Sequence, residues 1–480
     1  MTALPLIIEK TEKINRPVKI LQFGQGNFLR AFADYFVEIL NEETDFDGSI
    51  VIVRPTDRGN LNIFKQQDSL YTVFIQGVAQ GEMIDQVKPI TSVAEALSPY
   101  SEYENYMAYS KSDSLRFVIS NTTEAGIVCV DTDQLDMTPP QSFPGKLTQF
   151  LYSRFLHFNG DPSKGLIILP VELIDHNGTT LKNVVLQLAK AWSLPESFIT
   201  WLNTACRFIN TLVDRIVSGF PKEDAEALSQ KLGYTDQLMV TAEPFGLWVI
   251  EAGEDVRKEL CLQDINLPIL FTEDYKPYKE RKVRILNGAH TSSALLAYAC
   301  GKSFVKDMLE DDLLKQYIEH VLFEEIIPAM SMPREVSEPF AHDVLERFAN
   351  PFLNHSLLAI SLNSISKWKA RCLPSLLDYH KKFDALPKGL VFSLAALLNF
   401  YGGGDGYEVK DEPDVLEFFT AHKGTSNQTL VLDFLTKTDF HGLPEDIQNK
   451  VATILIDILD SIDKVGPYET LKEFIYGELH

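Results

Sequence analysis

The 480-residue sequence predicts an α/β domain in its N-terminal part, followed by a mainly α-helical domain. Three observations carry that expectation. The first half alternates short β-branched runs with helical periods, the pattern of a parallel sheet flanked by helices. From about residue 281 strand signals nearly vanish and helical spacing takes over. The length also exceeds what one hydrophobic core normally organises, so two domains are the default.

In chain order, the strand candidates are residues 18–23 (VKILQF), 49–54 (SIVIVR), 70–76 (LYTVFIQ), 116–120 (RFVIS) and 165–170 (GLIILP). Between the first two, residues 27–41 carry Leu29, Phe32, Phe36, Ile39 and Leu40 near helical spacing, which predicts one helix. The segment 272–279 (TEDYKPYK), with Pro277 inside it, reads as the join between residues 1–280 and 281–480. Beyond it, helices are expected over 283–300, 304–327, 335–348, 389–401, 414–422 and 447–462. The run GGGDGYEVKDEP at 402–413 reads as a surface loop, since no strand or helix start frames its glycines as a phosphate loop.

Composition narrows the function classes. The net charge of −23 speaks against nucleic acid, whose phosphate backbone asks for a basic surface. No run reaches the roughly 20 apolar residues that cross a bilayer. The N-terminus lacks a basic start and an apolar stretch, which predicts a cytoplasmic location without membrane attachment. The five cysteines are scattered without a CxxC pair, and the ten histidines show neither HExxH nor ligand spacing, so no metal is expected. No GxSxG elbow supports acyl transfer.

Gly24 and Gly26, in VKILQFGQGNFLRAF, stand just after a strand and just before a helix. There, glycines allow a tight turn and let backbone N–H groups approach a pyrophosphate. The third glycine of GxGxxG is replaced by Leu29, which predicts a helix standing further from the strand, and Arg30 is a candidate phosphate partner. The second strand ends at Arg54, which suits a 2′-phosphate, with Asp57, which suits a free ribose, just beyond.

The segment ERKVRILNGAHTSSALLAYACG carries Lys282, Asn287 and His290. At 100° per residue they fall within an arc of roughly 140°, with Arg284 opposite. Such a trio suits metal-free carbonyl reduction: the ammonium protonates the oxygen while the amide and imidazole hold it. Tyr278 and Lys282 also spell YxxxK, but so do Tyr275 and Lys279, and Pro277 interrupts a shared helix.

These residues resemble the polyol-specific long-chain dehydrogenase (mannitol dehydrogenase) family: KVRILNGAH its catalytic stretch, GQGNFLRAF its cofactor loop, NTLVDRIV its VDRI segment. The resemblance runs from residue 18 to about 375. It implies a Rossmann-like N-terminal domain and a helical C-terminal domain. Lys282 would be the general acid/base, Asn287 and His290 would orient the substrate, and Asp214 would be a polar partner. It also implies NAD, with Gly24, Gly26, Asn27, Arg30, Arg54, Asp57, Asn121 and Thr122 around it. SNTTEAGI, PVELIDHNG and LNSISKWKARCLPS resemble the family's tagaturonate-reducing branch. One departure stands out, because Glu172-Leu173 replaces the Asp-Asn that gives the mannitol enzymes an oxyanion-hole asparagine.

Lys367, Lys369 and Arg371, in SKWKAR, gather three cations in five residues of an acidic chain. A sugar-acid carboxylate needs such a partner and a neutral polyol does not. The expected reaction is therefore hydride transfer between NADH and the keto group of a small hexuronate. Fructuronate reduction and hexitol oxidation are the rivals within the family. A non-catalytic sensor of sugar acid or NAD is the rival outside it, against which the intact Lys282–Asn287–His290 trio speaks.

Overall fold

The computed structural model describes residues 4–263, 265–403 and 409–477; part of the predicted loop, 404–408, lies outside them. The chain divides into two compact units after Tyr275, with the short segment Gly77–Glu82 counted in the second.

The strands, in chain order, are β1 (Val18–Phe23), β2 (Ser49–Val53), β3 (Tyr71–Ala79), β4 (Glu82–Ile90), β5 (Val93–Leu97), β6 (Phe117–Ser120), β7 (Ile167–Pro170), β8 (Arg207–Phe208), β9 (Thr211–Asp214), β10 (Val217–Gly219), β11 (Val240–Ala242), β12 (Leu247–Ile250) and β13 (Ile269–Phe271). Six of them form one sheet in the order β5-β2-β1-β6-β7-β8, parallel throughout. Numbered within the sheet, that order is 3-2-1-4-5-6, the doubly wound dinucleotide-binding arrangement, which reverses direction between β1 and β6.

Alternating residues explain why these strands read as nearly continuous apolar runs. Ile20, Ile50, Ile52, Phe117, Ile119, Ile167 and Leu169 enter one core. Leu21, Phe23, Val51, Val53, Val118 and Ile168 enter a second core. A parallel sheet covered on both faces demands both sets.

The expected strand at 70–76 exists but lies outside this sheet. It belongs to β3, in a four-stranded sheet ordered β10-β11-β3-β4, and β5 takes the edge beside β2. Strand β4 (EMIDQVKPI) is largely solvent-facing, so its charges hid it from an apolar-pattern reading. A third sheet, β13-β12-β9, places Asp214 opposite Leu247.

The second unit is helical among its described residues, apart from the Gly77–Glu82 segment and one isolated bridge between Phe304 and Ser356. Its central helices are Gly288–Ala299 and Lys388–Gly402, buried along most of their length and packed on each other. At Gly389 an added Cβ would meet Val321 Cγ2 at 2.9 Å and Glu325 Oε2 at 3.0 Å. The missing side chain lets the buried Glu325 carboxylate accept from the Gly389 and Leu390 amides at 2.6 and 2.8 Å, capping that helix. Among the described residues, no helix is long and apolar enough to cross a membrane.

Candidate functional site

The loop after β1 lies at the sheet's reversal point. Gly24 has φ +134°, and its amide donates to Val53 O at 3.1 Å. A Cβ there would meet Leu29 Cδ1 at 2.9 Å and Asn121 O at 3.0 Å, so only glycine fits. Leu29 therefore folds over Gly24 and fills the space that a third glycine would leave. Gly26 has open space beside it and precedes the short helix Asn27–Arg30.

The single helix expected over 27–41 is two pieces. Phe32, at φ −128° and ψ −83°, separates Asn27–Arg30 from Ala33–Glu43. Arg215 stabilises the break by donating to Ala31 O at 2.7 Å. It also donates to the carbonyls of Phe245 and Pro244, and its guanidinium lies over Tyr35 and Phe36. Burial lowers this arginine to about 10. The VDRI segment thus braces the helix that follows the loop, and Asp214, buried beside Arg215, ends β9.

Arg30 turns inward. Its guanidinium donates to Leu238 O and Asn27 Oδ1, lies over Tyr71, and is 6% exposed, so it fixes Asn27 from within the core. Arg54 is half-buried and donates to Gly59 O, while Asp57 beyond it is exposed.

At the end of β6 the Asn121 amide donates to Phe23 O at 3.0 Å, tying the two loops together. Thr122 gives both its amide (2.9 Å) and its hydroxyl (3.0 Å) to Glu172 Oε1, and Ser120 Oγ donates to Glu172 Oε2 at 3.0 Å. Glu172 is 2% exposed, and burial raises its carboxyl against these hydrogen bonds. Its neighbour Leu173 is 60% exposed.

In the second unit, Lys282–Asn287 is a π-helix running into the α-helix Gly288–Ala299. This corrects the uniform α-helical spacing expected from sequence. With i→i+5 bonding, at about 4.4 residues per turn, Lys282 and Asn287 fall roughly 50° apart instead of roughly 140°. Three α-helical residues later, His290 returns to within roughly 10° of Lys282. The trio so spans an arc of about 60°. Arg284 pairs with Glu280 at 3.1 Å and Asp378 at 2.6 Å.

His290 is 9% exposed, and its Nε2 has no hydrogen-bond partner among the described residues. Phe348 stacks on its face (4.1 Å, 23°) and His355 meets it edge-on (5.1 Å, 78°). Burial, then His355, Arg347 and Arg371, hold its pKa well below the usual value, so the ring is neutral at pH 7. Arg371 donates to Thr291 Oγ1 at 3.2 Å, and Lys367 donates to Ile360 O at 3.0 Å; burial lowers both cations. Lys369 is exposed and donates to Asp439 O at 2.8 Å.

The basic cluster therefore divides. Lys367 and Arg371, one turn apart, share a helix face, and Lys369 leaves on another. Sequence reasoning missed Arg347, Thr291 and His355 around His290. Arg347 had a signal, because it continues the buried stripe Phe340, Ala341, Val344, where an arginine needs a polar reason. His355 lies in a connection without periodicity and gave none. Among the described residues, no three His, Cys, Asp or Glu side chains gather as a metal-binding set.

Family models match both parts of the chain: the mannitol dehydrogenase Rossmann domain over residues 18–264 and the mannitol dehydrogenase C-terminal domain over residues 274–458. The chain belongs to the mannitol dehydrogenase family. Within it, the chain is 42% identical over 475 residues to an altronate oxidoreductase of Bacteroides thetaiotaomicron, covering 97% of this chain and 98% of the relative. It is 44% identical over 426 residues to an altronate oxidoreductase of Pectobacterium carotovorum, covering 87% of each. A substrate-free D-sorbitol dehydrogenase superposes with TM-score 0.79 at 21% identity, covering 98% of this chain and 97% of that one. A Pseudomonas fluorescens mannitol 2-dehydrogenase ternary complex with NAD and D-mannitol gives 0.69 at 21%, covering 96% and 95%. These two establish the mannitol dehydrogenase fold for both units.

Proposed function

We propose that this mannitol dehydrogenase family member is an NAD-dependent altronate oxidoreductase, interconverting tagaturonate and altronate without a metal. The observation that carries the reading is the 42% identity to an altronate oxidoreductase over 97% of the chain. The residue chemistry agrees with it.

The first unit fits a dinucleotide. Its sheet order has the reversal point such cofactors use, and the loop there pairs a Gly24 that tolerates no side chain with an open Gly26. Gly24, Gly26, Asn27, Asn121 and Thr122 would hold the cofactor, with Asp57 towards the ribose and Arg54 behind it. Arg30 supports Asn27. NADH, when bound, supplies the hydride.

The chain's own residues handle the oxygen. Lys282 holds a proton at Nζ and passes it to the substrate oxygen as negative charge develops. Asn287 donates its amide N–H to the same oxygen. His290, kept neutral, retains one ring N–H to donate from its buried position. Asp214 is a polar partner from the VDRI segment. In the oxidative direction Lys282 takes the proton back. The substrate carboxylate calls for cations in an acidic protein; within the Lys367, Lys369 and Arg371 segment, Lys367 and Arg371 share one helix face and are the candidates, while Lys369 leaves that face for Asp439 O. The enzyme works in the cytoplasm on a small sugar acid.

NADH oxidation followed against tagaturonate, fructuronate and fructose tests the reading. Tagaturonate should give the highest kcat/KM. Preference for fructuronate or fructose would move the assignment to those activities.

A further inference from the structure

We infer that His355 and Arg371 form the subsite that receives the substrate's carboxylate, beside the oxygen-holding His290; this rests on the altronate oxidoreductase reading above.

Three segments of the second unit converge on His290, which sits in the helix Gly288–Ala299. Arg347 and Phe348 come from the end of Arg334–Phe348, His355 from the connection after it, and Arg371 from the end of Ser364–Arg371. Arg371 is half-buried, yet among the described residues its hydrogen bonding amounts to one hydroxyl, Thr291 Oγ1 at 3.2 Å. No described carboxylate pairs with it. A guanidinium carries five N–H donors and pays for leaving water unless an anion arrives. A neutral polyol would leave that cost standing, and a carboxylate would offset it through two parallel hydrogen bonds.

His355 is held to its place by the backbone on both sides. Its carbonyl accepts from Val305 N at 3.0 Å, Leu357 N donates to Ser303 O at 3.0 Å, and Ser356 bridges Phe304. Its ring stands edge-on to His290 at 5.1 Å between centroids. In an extended keto-hexuronate the keto and carboxyl carbons are four bonds apart, about 5 Å with carbon–carbon bonds of ~1.5 Å. A substrate lying along the two rings so presents its keto oxygen to His290 and its carboxylate to His355. Burial depresses the His355 imidazole, and a carboxylate beside it works in the opposite direction. Lys367, one turn from Arg371, adds a second cation at longer range. Lys369, tied to Asp439 O, takes no part.

The test compares His355→Asn, Arg371→Gln and Lys369→Gln with the unaltered enzyme. It measures kcat/KM for tagaturonate and for fructose with NADH, and altronate binding to the NADH complex, which cannot turn over, by calorimetry. His355→Asn and Arg371→Gln should each lose about 30-fold or more for tagaturonate, the scale for truncating one partner of a buried charge pair. They should change about threefold or less for fructose, and altronate binding should weaken in step. Lys369→Gln should leave the ratio of the two substrates unchanged.

If Arg371→Gln unfolds, Arg371→Lys keeps the charge without the fork and should show a smaller loss of the same selectivity. Equal proportional losses on both substrates, no loss on either, or a selective loss in Lys369→Gln overturns the subsite while leaving the reaction assigned. An unaltered enzyme that reduces no keto-uronate overturns the reaction, and the subsite with it.

Discussion

One carboxylate oxygen of Glu172 accepts both the amide and the hydroxyl of Thr122, at 2.9 and 3.0 Å, and so fixes the strand-end loop that carries Asn121. Where the mannitol enzymes place an Asp-Asn pair, this chain has a buried clamp followed by an exposed leucine. Glu172→Gln keeps the size but removes the charge from three hydrogen bonds, each worth on the order of 1–2 kcal/mol. The KM for NADH should rise on the order of tenfold, with kcat and the KM for tagaturonate changing much less. A fall confined to kcat would show that Glu172 acts on the chemistry instead.

Lys282→Ala should lower kcat by about 10²–10⁴-fold, the range for a lost general acid. NADH affinity, read by fluorescence titration, should stay near that of the unaltered enzyme. With the lysine proposed as the proton source in place of a metal-bound group, exhaustive chelation should leave turnover intact. Near-normal kcat in the variant, or zinc-restored activity after chelation, would remove Lys282 from this role.

Asp57 is exposed beyond the end of β2, where a carboxylate accepts from a ribose hydroxyl and repels a 2′-phosphate. NADH should therefore be preferred over NADPH in kcat/KM, and Asp57→Ala should narrow the gap. Equal or better use of NADPH by the unaltered enzyme would reassign this end of the loop to Arg54.

Asp34, fully buried in the first turn of the helix Ala33–Glu43, accepts from Tyr71 Oη at 2.6 Å, while its Oδ1 and the Oε1 of Gln22 both lack a donor among the described residues. Burial raises it from 3.8 to about 7. The folded state thus keeps a proton that the unfolded chain releases near pH 4. That stabilisation is complete below pH 4, declines as pH rises towards 7, and is gone above 7. Asp34→Asn keeps an acceptor for Tyr71 and supplies a permanent donor. It should raise Tm at pH 8, flatten the pH 4–7 slope, and change little at pH 4. An unchanged slope would place the titration elsewhere.

The parallel sheet was legible because β1, β2, β6 and β7 are buried on both faces, which forces unbroken apolar runs. Strand β5 (VAEAL) carries helix-favouring residues, and β4 is charged, so neither matched a local pattern. Strands β8 to β13 are two to four residues long and owe their pairing to the sheets they join. Spacing could put Lys282, Asn287 and His290 on one side of a helix, but not show the π-helix that narrows their arc. The inward turn of Arg30 could not, since it depends on Leu238, over two hundred residues away. Nor could a linear count of cations show that Lys369 leaves the face of Lys367 and Arg371.

The π-helix at Lys282–Asn287 makes chain length, as much as residue identity, responsible for where the ammonium points. It amounts to one surplus residue in an otherwise α-helical run. A homologue shortened by one position between Val283 and Leu286 would keep the lysine, asparagine and histidine as letters. Its helix could close to ordinary pitch, and the lysine would then precede the asparagine by four residues and the histidine by seven, which keeps all three on one face. A chain of unchanged length that closed to ordinary pitch would instead turn the lysine by roughly 90° relative to the histidine. For this stretch, an alignment gap of one residue preserves the constellation, and the loss of the π-helix without a gap breaks it.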